Sequence, residues 1–285
     1  VAYKPLSESN SDHWNILWIS IDNKRVASCR NLKLRYNKAV YLHKAAFYKN
    51  SLFFIGEMGT GSEYSSILVK ANIDGDVVFI KAFADGLYYD IAMSPDGSLV
   101  ATGTDYNRGG IGLISKISLQ GNLIWTKSIK EPNFTSISWV GARKDTNISV
   151  IIDCSGCYQG VDSDPWLKVN QLLLATFDMK GRLVNRRSIS KRSIYDSINA
   201  VTCSNNNLLI IGNPYNENKA RLWIYDSNDQ LVSSQKVDLP IGNTVNTVDS
   251  DVIGNIYIFG DCLLRNRNKM PDVNSFVFRI DPWQR

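Results

Sequence analysis

A chain of 285 residues with 44% hydrophobic and 21% charged residues can bury a core as one globular unit, which excludes a mainly disordered protein. Its longest apolar runs, such as Asn207-Leu208-Leu209-Ile210-Ile211, are strand-length and fall short of the ~20 residues of a membrane helix, so no membrane span is expected. The net charge of +5 arises from scattered basic residues, with short clusters only at Arg186-Arg187 and Arg265–Lys269, a pattern that argues against nucleic acid as a partner.

The first residue is Val1 and not Met, which reads as a processed or trimmed chain. Together with Asn/Ser-rich loops, it points to an extracytoplasmic or secreted protein. Trp14–Asp22 and Arg25–Arg30 read as strands joined at Asp22-Asn23-Lys24. Five segments then start on a small polar residue and run apolar to a glycine or an acid: Ser51–Gly56, Ser98–Gly103, Asn147–Asp153, Asn207–Gly212 and Asn255–Gly260. Gly56 and Gly103 are 47 positions apart, and Gly212 and Gly260 are 48 apart. A period near fifty marks a repeat architecture.

Each of these segments is preceded by a further strand, including Leu87–Ser94, Phe134–Val140, Ile198–Cys203 and Val245–Ser250. A hairpin follows it, with turns at Asp74-Gly75-Asp76, Gln120-Gly121-Asn122, Asp178–Gly181 and Asp226–Asp229, the Asn/Asp/Gly chemistry that positive φ demands. Every repeat therefore has four antiparallel strands, A to D, and no amphipathic helix is evident. The expected fold is all-β: a five-bladed β-propeller of four-stranded blades over residues 1–285, an N-terminal strand completing the last blade, which stops after Ser275–Asp281. A slight excess of strands leaves six blades as the alternative.

Ser94-Pro95-Asp96-Gly97-Ser98-Leu99-Val100-Ala101-Thr102-Gly103 resembles the A–B hairpin of WD-repeat propellers, and Gly121-Asn122-Leu123-Ile124-Trp125 resembles the C–D hairpin of quinoprotein-like propellers. No repeat carries the Trp-Asp dipeptide, and one alone has the Gly-to-Trp spacing, so the resemblance covers the repeat plan and implies no cofactor. It does imply that the D–A and B–C loops open on one face and that strand A lines a central channel.

Counting back thirteen residues from the strand-B glycine gives His43, Asp90 and Asn199, with Ser136 and Asn246 as the partners in the other repeats. All are polar and fall near the entry of strand A. They are read either as a ring that binds a small polar ligand or as groups that hydrate a narrow channel. Glu57, Asp105, Asp153, Asn213 and Asp261 end strand B, where carboxylates on successive loops suit calcium or a cationic substrate; Asp and Asn also end strands by satisfying the turn that follows.

An insertion in the third repeat, Asp153–Asn170, carries Cys154-Ser155-Gly156-Cys157, Tyr158, Asp162, Asp164 and Trp166. The two cysteines suit a loop-stiffening disulfide or two thiols. With His13 and His43 the only histidines, a four-ligand zinc site is disfavoured. Asp261–Asn274 is a long basic loop. Tyr64, Tyr106, Tyr158, Trp166 and Tyr215 lie near the loops and are of the type enriched at interfaces and sugar sites.

The expected function is a monomeric binding or scaffolding module presenting its loop face to a protein or glycan. The alternative is a hydrolase or other enzyme at the channel mouth, with His43 and Asp90 as an acid–base pair or with a metal held by the strand-B carboxylates.

Overall fold

A hairpin turn recurs throughout the chain and sets its geometry. At 72–76, 94–98, 118–122, 178–182, 203–207 and 226–230 the fourth residue donates its amide to the first carbonyl, and the first residue's amide bonds the fifth carbonyl. The fourth residue, Gly75, Gly97, Gly121, Gly181, Asn206 or Asp229, has positive φ, so each loop is a type I turn closed by a left-handed residue. In three of these turns Asn72, Asp178 or Asp226 opens the loop, and its side-chain oxygen accepts the amides two and four residues on.

The computed structural model describes residues 2–3, 15–16, 21–22, 25–26, 39–60, 63–130, 134–142, 147–155, 171–191, 195–203, 206–214, 219–238, 243–250, 255–264 and 272–280. They form two compact units, Val1–Lys130 and Glu131–Arg285. No helix occurs among the described residues, so none is long and apolar enough to cross a membrane.

In the first unit, β1 (Ala2–Tyr3) pairs with β2 (Asn15–Ile16), and β3 (Ile21–Asp22) pairs with β4 (Arg25–Val26). The first blade is the antiparallel sheet β5 (Ala39–Tyr48), β6 (Ser51–Thr60), β7 (Glu63–Asn72) and β8 (Val77–Phe83). The second contains β9 (Leu87–Met93), β10 (Leu99–Asp105), β11 (Ile111–Ile117) and β12 (Leu123–Ile129). Both have strands in chain order, as the repeat predicts. β5 lies against β9. The seam between the blades is filled by Phe53, Ile55, Leu68, Tyr88, Ile91, Leu99 and Leu113, all buried.

In the second unit, β13 (Phe134–Ala142), β14 (Ile148–Ser155), β15 (Gln171–Phe177) and β16 (Leu183–Lys191) form one blade. β17 (Tyr195–Thr202), β18 (Leu208–Pro214), β19 (Lys219–Tyr225) and β20 (Leu231–Asp238) form the next. β21 (Asn243–Ser250), β22 (Ile256–Leu264) and β23 (Asp272–Ile280) form a three-stranded sheet. First strands again meet, β13 with β17 and β17 with β21.

Outer strands β8, β12, β16 and β20 carry exposed apolar residues just after their turns: Val78, Leu123, Ile124, Leu183, Val184, Leu231 and Val232. Further along the same strands lie Lys81, Lys127, Arg186, Arg187 and Lys236, the charges that protect an open sheet edge from pairing.

Asp229 takes the position that is glycine in four other turns, at φ 60°. Its buried carboxylate accepts hydrogen bonds from Thr176 Oγ1 at 2.8 Å and Asn185 Nδ2 at 3.2 Å, tying its turn to the preceding blade. Asp229→Ala is expected to lose about 2 kcal/mol, because charge-assisted bonds go while the left-handed strain stays. Urea unfolding checks it: the midpoint falls at constant m, and falls less for Asp229→Asn, which tolerates this φ.

Candidate functional site

Every first strand contains a β-bulge. The register slips at His43 in β5, Tyr89 in β9, Ser138 in β13, Asp196 in β17 and Asn246 in β21. In the first two blades the strand-B glycine lies opposite the residue before the bulge, Gly56 opposite Leu42 and Gly103 opposite Tyr88. A Cβ on Gly56 would strike the Tyr41 carbonyl oxygen, and one on Gly103 the Leu87 carbonyl oxygen. The repeating glycine thus exists to admit the bulge, and the bulge re-aims one side chain per strand.

In the first unit the re-aimed side chains meet. The His43 and Tyr89 rings pack edge-on with centroids 5.4 Å apart. Tyr89 donates its hydroxyl hydrogen to the Tyr106 hydroxyl oxygen at 2.9 Å. His43 Nε2 lies 3.9 Å from Glu57 Oε1, and Glu57 is the cross-strand partner of Tyr41. Tyr64, opposite Gly59, falls on the same face of the sheet as Tyr41 and Glu57, and its ring centroid is 6.4 Å from that of Tyr41. This face is the one that packs the seam through Phe53 and Ile55. At the loop end of the seam the apolar core therefore gives way to one carboxylate, one imidazole and four tyrosines.

Burial lowers the His43 pKa from its ordinary 6.5, against the pull of Glu57, so the ring is mostly neutral at pH 7. Burial, with the Tyr106 bond and the nearby Glu57 charge, holds the Tyr89 phenol far above its usual range. Neither group supplies positive charge to Glu57. Among the described residues, His43 is the one basic side chain within ion-pair distance of Glu57.

The other expected site residues have separate surroundings. Asp90 is buried, paired with Thr102 in the ladder, and its carboxylate accepts the Ile91 amide at 2.8 Å. Asp105, also buried, pairs with Arg108 at 3.2 Å and accepts that residue's amide. Asn199 donates from Nδ2 to the Val245 carbonyl at 3.1 Å, a tie between successive first strands. Asp153, at the end of β14, is mostly buried, and burial raises its carboxyl to about 6. Ser136, Asn213, Asn246 and Asp261 are placed in strands, with side chains outside the described residues. Trp166, Tyr158, Cys157, Asp162, Asp164, Tyr215, His13 and the 265–271 loop lie outside them altogether. Cys154 and Cys203 are buried. Among the described residues no three His, Cys, Asp or Glu side chains converge to hold a metal ion.

Glu57 was among the expected strand-B carboxylates, whereas Tyr41 and Tyr89 are the residues that a fixed count of thirteen missed. A Tyr41-x-His43 pair before one strand-B glycine and a Tyr88-Tyr89 pair before the next were visible in the sequence as aromatics at strand-A entries.

No protein-family model matches the chain, and no curated protein matches it. Solved structures do. Hydrazine synthase of Kuenenia stuttgartiensis aligns with a TM-score of 0.57 at 14% identity, covering 85% of this chain and 63% of that one. A GH43 β-1,3-galactosidase aligns at 0.51 and 12% identity, over 95% of this chain and 60% of that one. The Dos1 propeller aligns at 0.50 and 13% identity, over 78% and 52%. The chain spans about half to just under two thirds of the length of these structures. At such identities the likeness concerns the fold alone: the chain is a generic β-propeller protein built from four-stranded antiparallel blades.

Proposed function

We propose that the chain is a binding module, a five-bladed propeller, and that its loop end recognises a protein or glycan partner. One observation carries the reading. Tyr41, Tyr64 and Tyr106 stand 40–51% exposed around a partly buried carboxylate at the end of a blade seam. Rings held on rigid strands offer large contact area at low entropic cost, the usual currency of recognition surfaces. Each ring is backed by a neighbour on the same or the adjacent blade, so the arrangement is preorganised.

Glycan and peptide arrays probed with the full chain test this. The Tyr41→Ala/Tyr64→Ala double variant is expected to lose at least about tenfold in binding of every array member that the wild type retains. Its Tm should stay within about 2 °C, as for exposed substitutions. Binding that survives in the double variant, at unchanged Tm, overturns the reading.

A second reading, a carboxylate-dependent hydrolase, is favoured by the neutral His43 beside Glu57, a pair suited to moving a proton. Turnover of an array glycan by the wild type, abolished in Glu57→Gln, would select it.

A further inference from the structure

We infer that the Glu57 cluster is a site for an alkylammonium group, the head of a lysine side chain or its methylated forms, presented to the seam between the first two blades. The inference rests on the binding-module reading and narrows its partner to one class of chemistry.

Three observations combine. The first is the ring arrangement: Tyr41 and Tyr64 share the face of Glu57, and His43 and Tyr89 approach it from the two bulges. Aromatic faces attract cations through their quadrupole, and they desolvate a monocation at less cost than an apolar wall would impose. The second is charge. Glu57 is about one-fifth exposed at its side chain, and among the described residues its one basic neighbour within ion-pair distance is an imidazole that is mostly neutral at pH 7. A carboxylate held in that setting gains from an incoming cation what its described neighbours do not provide. The third is the wider field. In a chain of net charge +5, the described carboxylates on the strand ends and loops around this seam are Glu57, Asp85, Asp90 and Asp105, and the Asp105 charge is answered by Arg108. Lys44 follows His43 on β5 and is the other described cation on these strand ends. Among these described side chains four formal negative charges stand against two positive ones, opposite in sign to the whole chain, a balance that favours an approaching cation.

An alkylammonium suits this site better than a sugar. A sugar needs several directional donors and acceptors around its rim. Here the hydroxyls of Tyr89 and Tyr106 are engaged with each other at 2.9 Å, and the Glu57 carboxylate is one charged point on a sheet face that it shares with Tyr41 and Tyr64. A guanidinium asks for a bidentate planar partner and is the nearest competitor.

Isothermal titration of the full chain with tetramethylammonium chloride, and with three tripeptides carrying lysine, trimethyl-lysine or arginine at the centre, provides the test. Tetramethylammonium and the lysine-type peptides should bind, and Glu57→Gln should weaken them at least tenfold with Tm unchanged. Tyr64→Ala, an exposed substitution, should weaken them severalfold and guards against a folding defect in Glu57→Gln. A trimethyl-lysine peptide that binds more tightly than tetramethylammonium assigns a peptide source, and equal affinities assign a free small cation; either supports the inference. Binding of the arginine peptide alone, or affinities equal in wild type and Glu57→Gln, overturns it. If cations give no heat while an array glycan or neutral peptide binds through Tyr41 and Tyr64, the cation inference falls and the binding module stands. If nothing binds through those tyrosines, both fall.

Discussion

Replacing Gly103 by alanine is expected to cost about 3 kcal/mol or more, a large share of the about 5–15 kcal/mol that holds a domain folded. The added methyl would meet the Leu87 carbonyl oxygen and then the Tyr88 Cα, both backbone atoms fixed by the ladder of β9 and β10. No rotamer change relieves that clash. Either the bulge at Tyr89 must flatten or the two strands must part, and each undoes the edge-on contact with His43. Gly109→Ala is the matched control: its φ is +80°, yet nothing lies within 4 Å of the added Cβ. There the cost is conformational strain alone, about 1 kcal/mol. Thermal melts of the two variants separate steric exclusion from backbone strain. Equal losses would show that Gly103 is not held by the bulge.

The second large effect carries the opposite sign. Asp153→Asn is expected to stabilise the protein at pH 8 by about 2–3 kcal/mol, from a shift of about two pH units at 1.36 kcal/mol each. Burial lifts the folded carboxyl from 3.8 to about 6. Because the folded state holds this proton more tightly than the unfolded chain, the side chain's contribution is fully favourable below pH 3.8 and is lost as pH rises through about 6. Above that the protein keeps an ionised carboxylate in a poorly solvated place, where asparagine would sit neutral. Stability curves of wild type and variant should therefore converge near pH 4 and separate toward pH 8. A gap that is constant across this range would assign the effect to packing.

Much of the fold was legible because the punctuation of this chain is chemical. Positive φ at Gly75, Gly97, Gly121 and Gly181 is what short turns rich in Asp, Asn and Gly announce, and four apolar runs per period leave few other architectures. Strand A of the second blade was expected at Leu87–Ser94 and is found at Leu87–Met93. The site was less legible for one physical reason. A bulge inserts a residue without any signature of its own, so a count from the strand-B glycine drifts: it reaches the bulge residue at His43, but at Asp90 it is one position past the bulge at Tyr89. One position in a strand is the difference between two faces. Asp90 was thereby set beside His43 in the sequence reading, whereas Tyr89 is the residue the geometry brings to that ring and Glu57 the carboxylate. Asn199 was expected at the same level, and its side chain bonds a neighbouring backbone, a tie that composition does not distinguish from ligand binding.

The outer strands have a colloidal consequence. Val78, Ile124, Val184 and Val232 lie 53–59% exposed on sheet edges, a few residues from Lys81, Lys127, Arg186, Arg187 and Lys236. Dispersal in water thus depends on like-charge repulsion between rims, a force whose reach shrinks from about 10 Å at 0.1 M salt to about 3 Å at 1 M. Acetylating those lysines and concentrating the salt act in the same direction on β8, β12 and β20, while β16 keeps its two arginines and answers to salt alone.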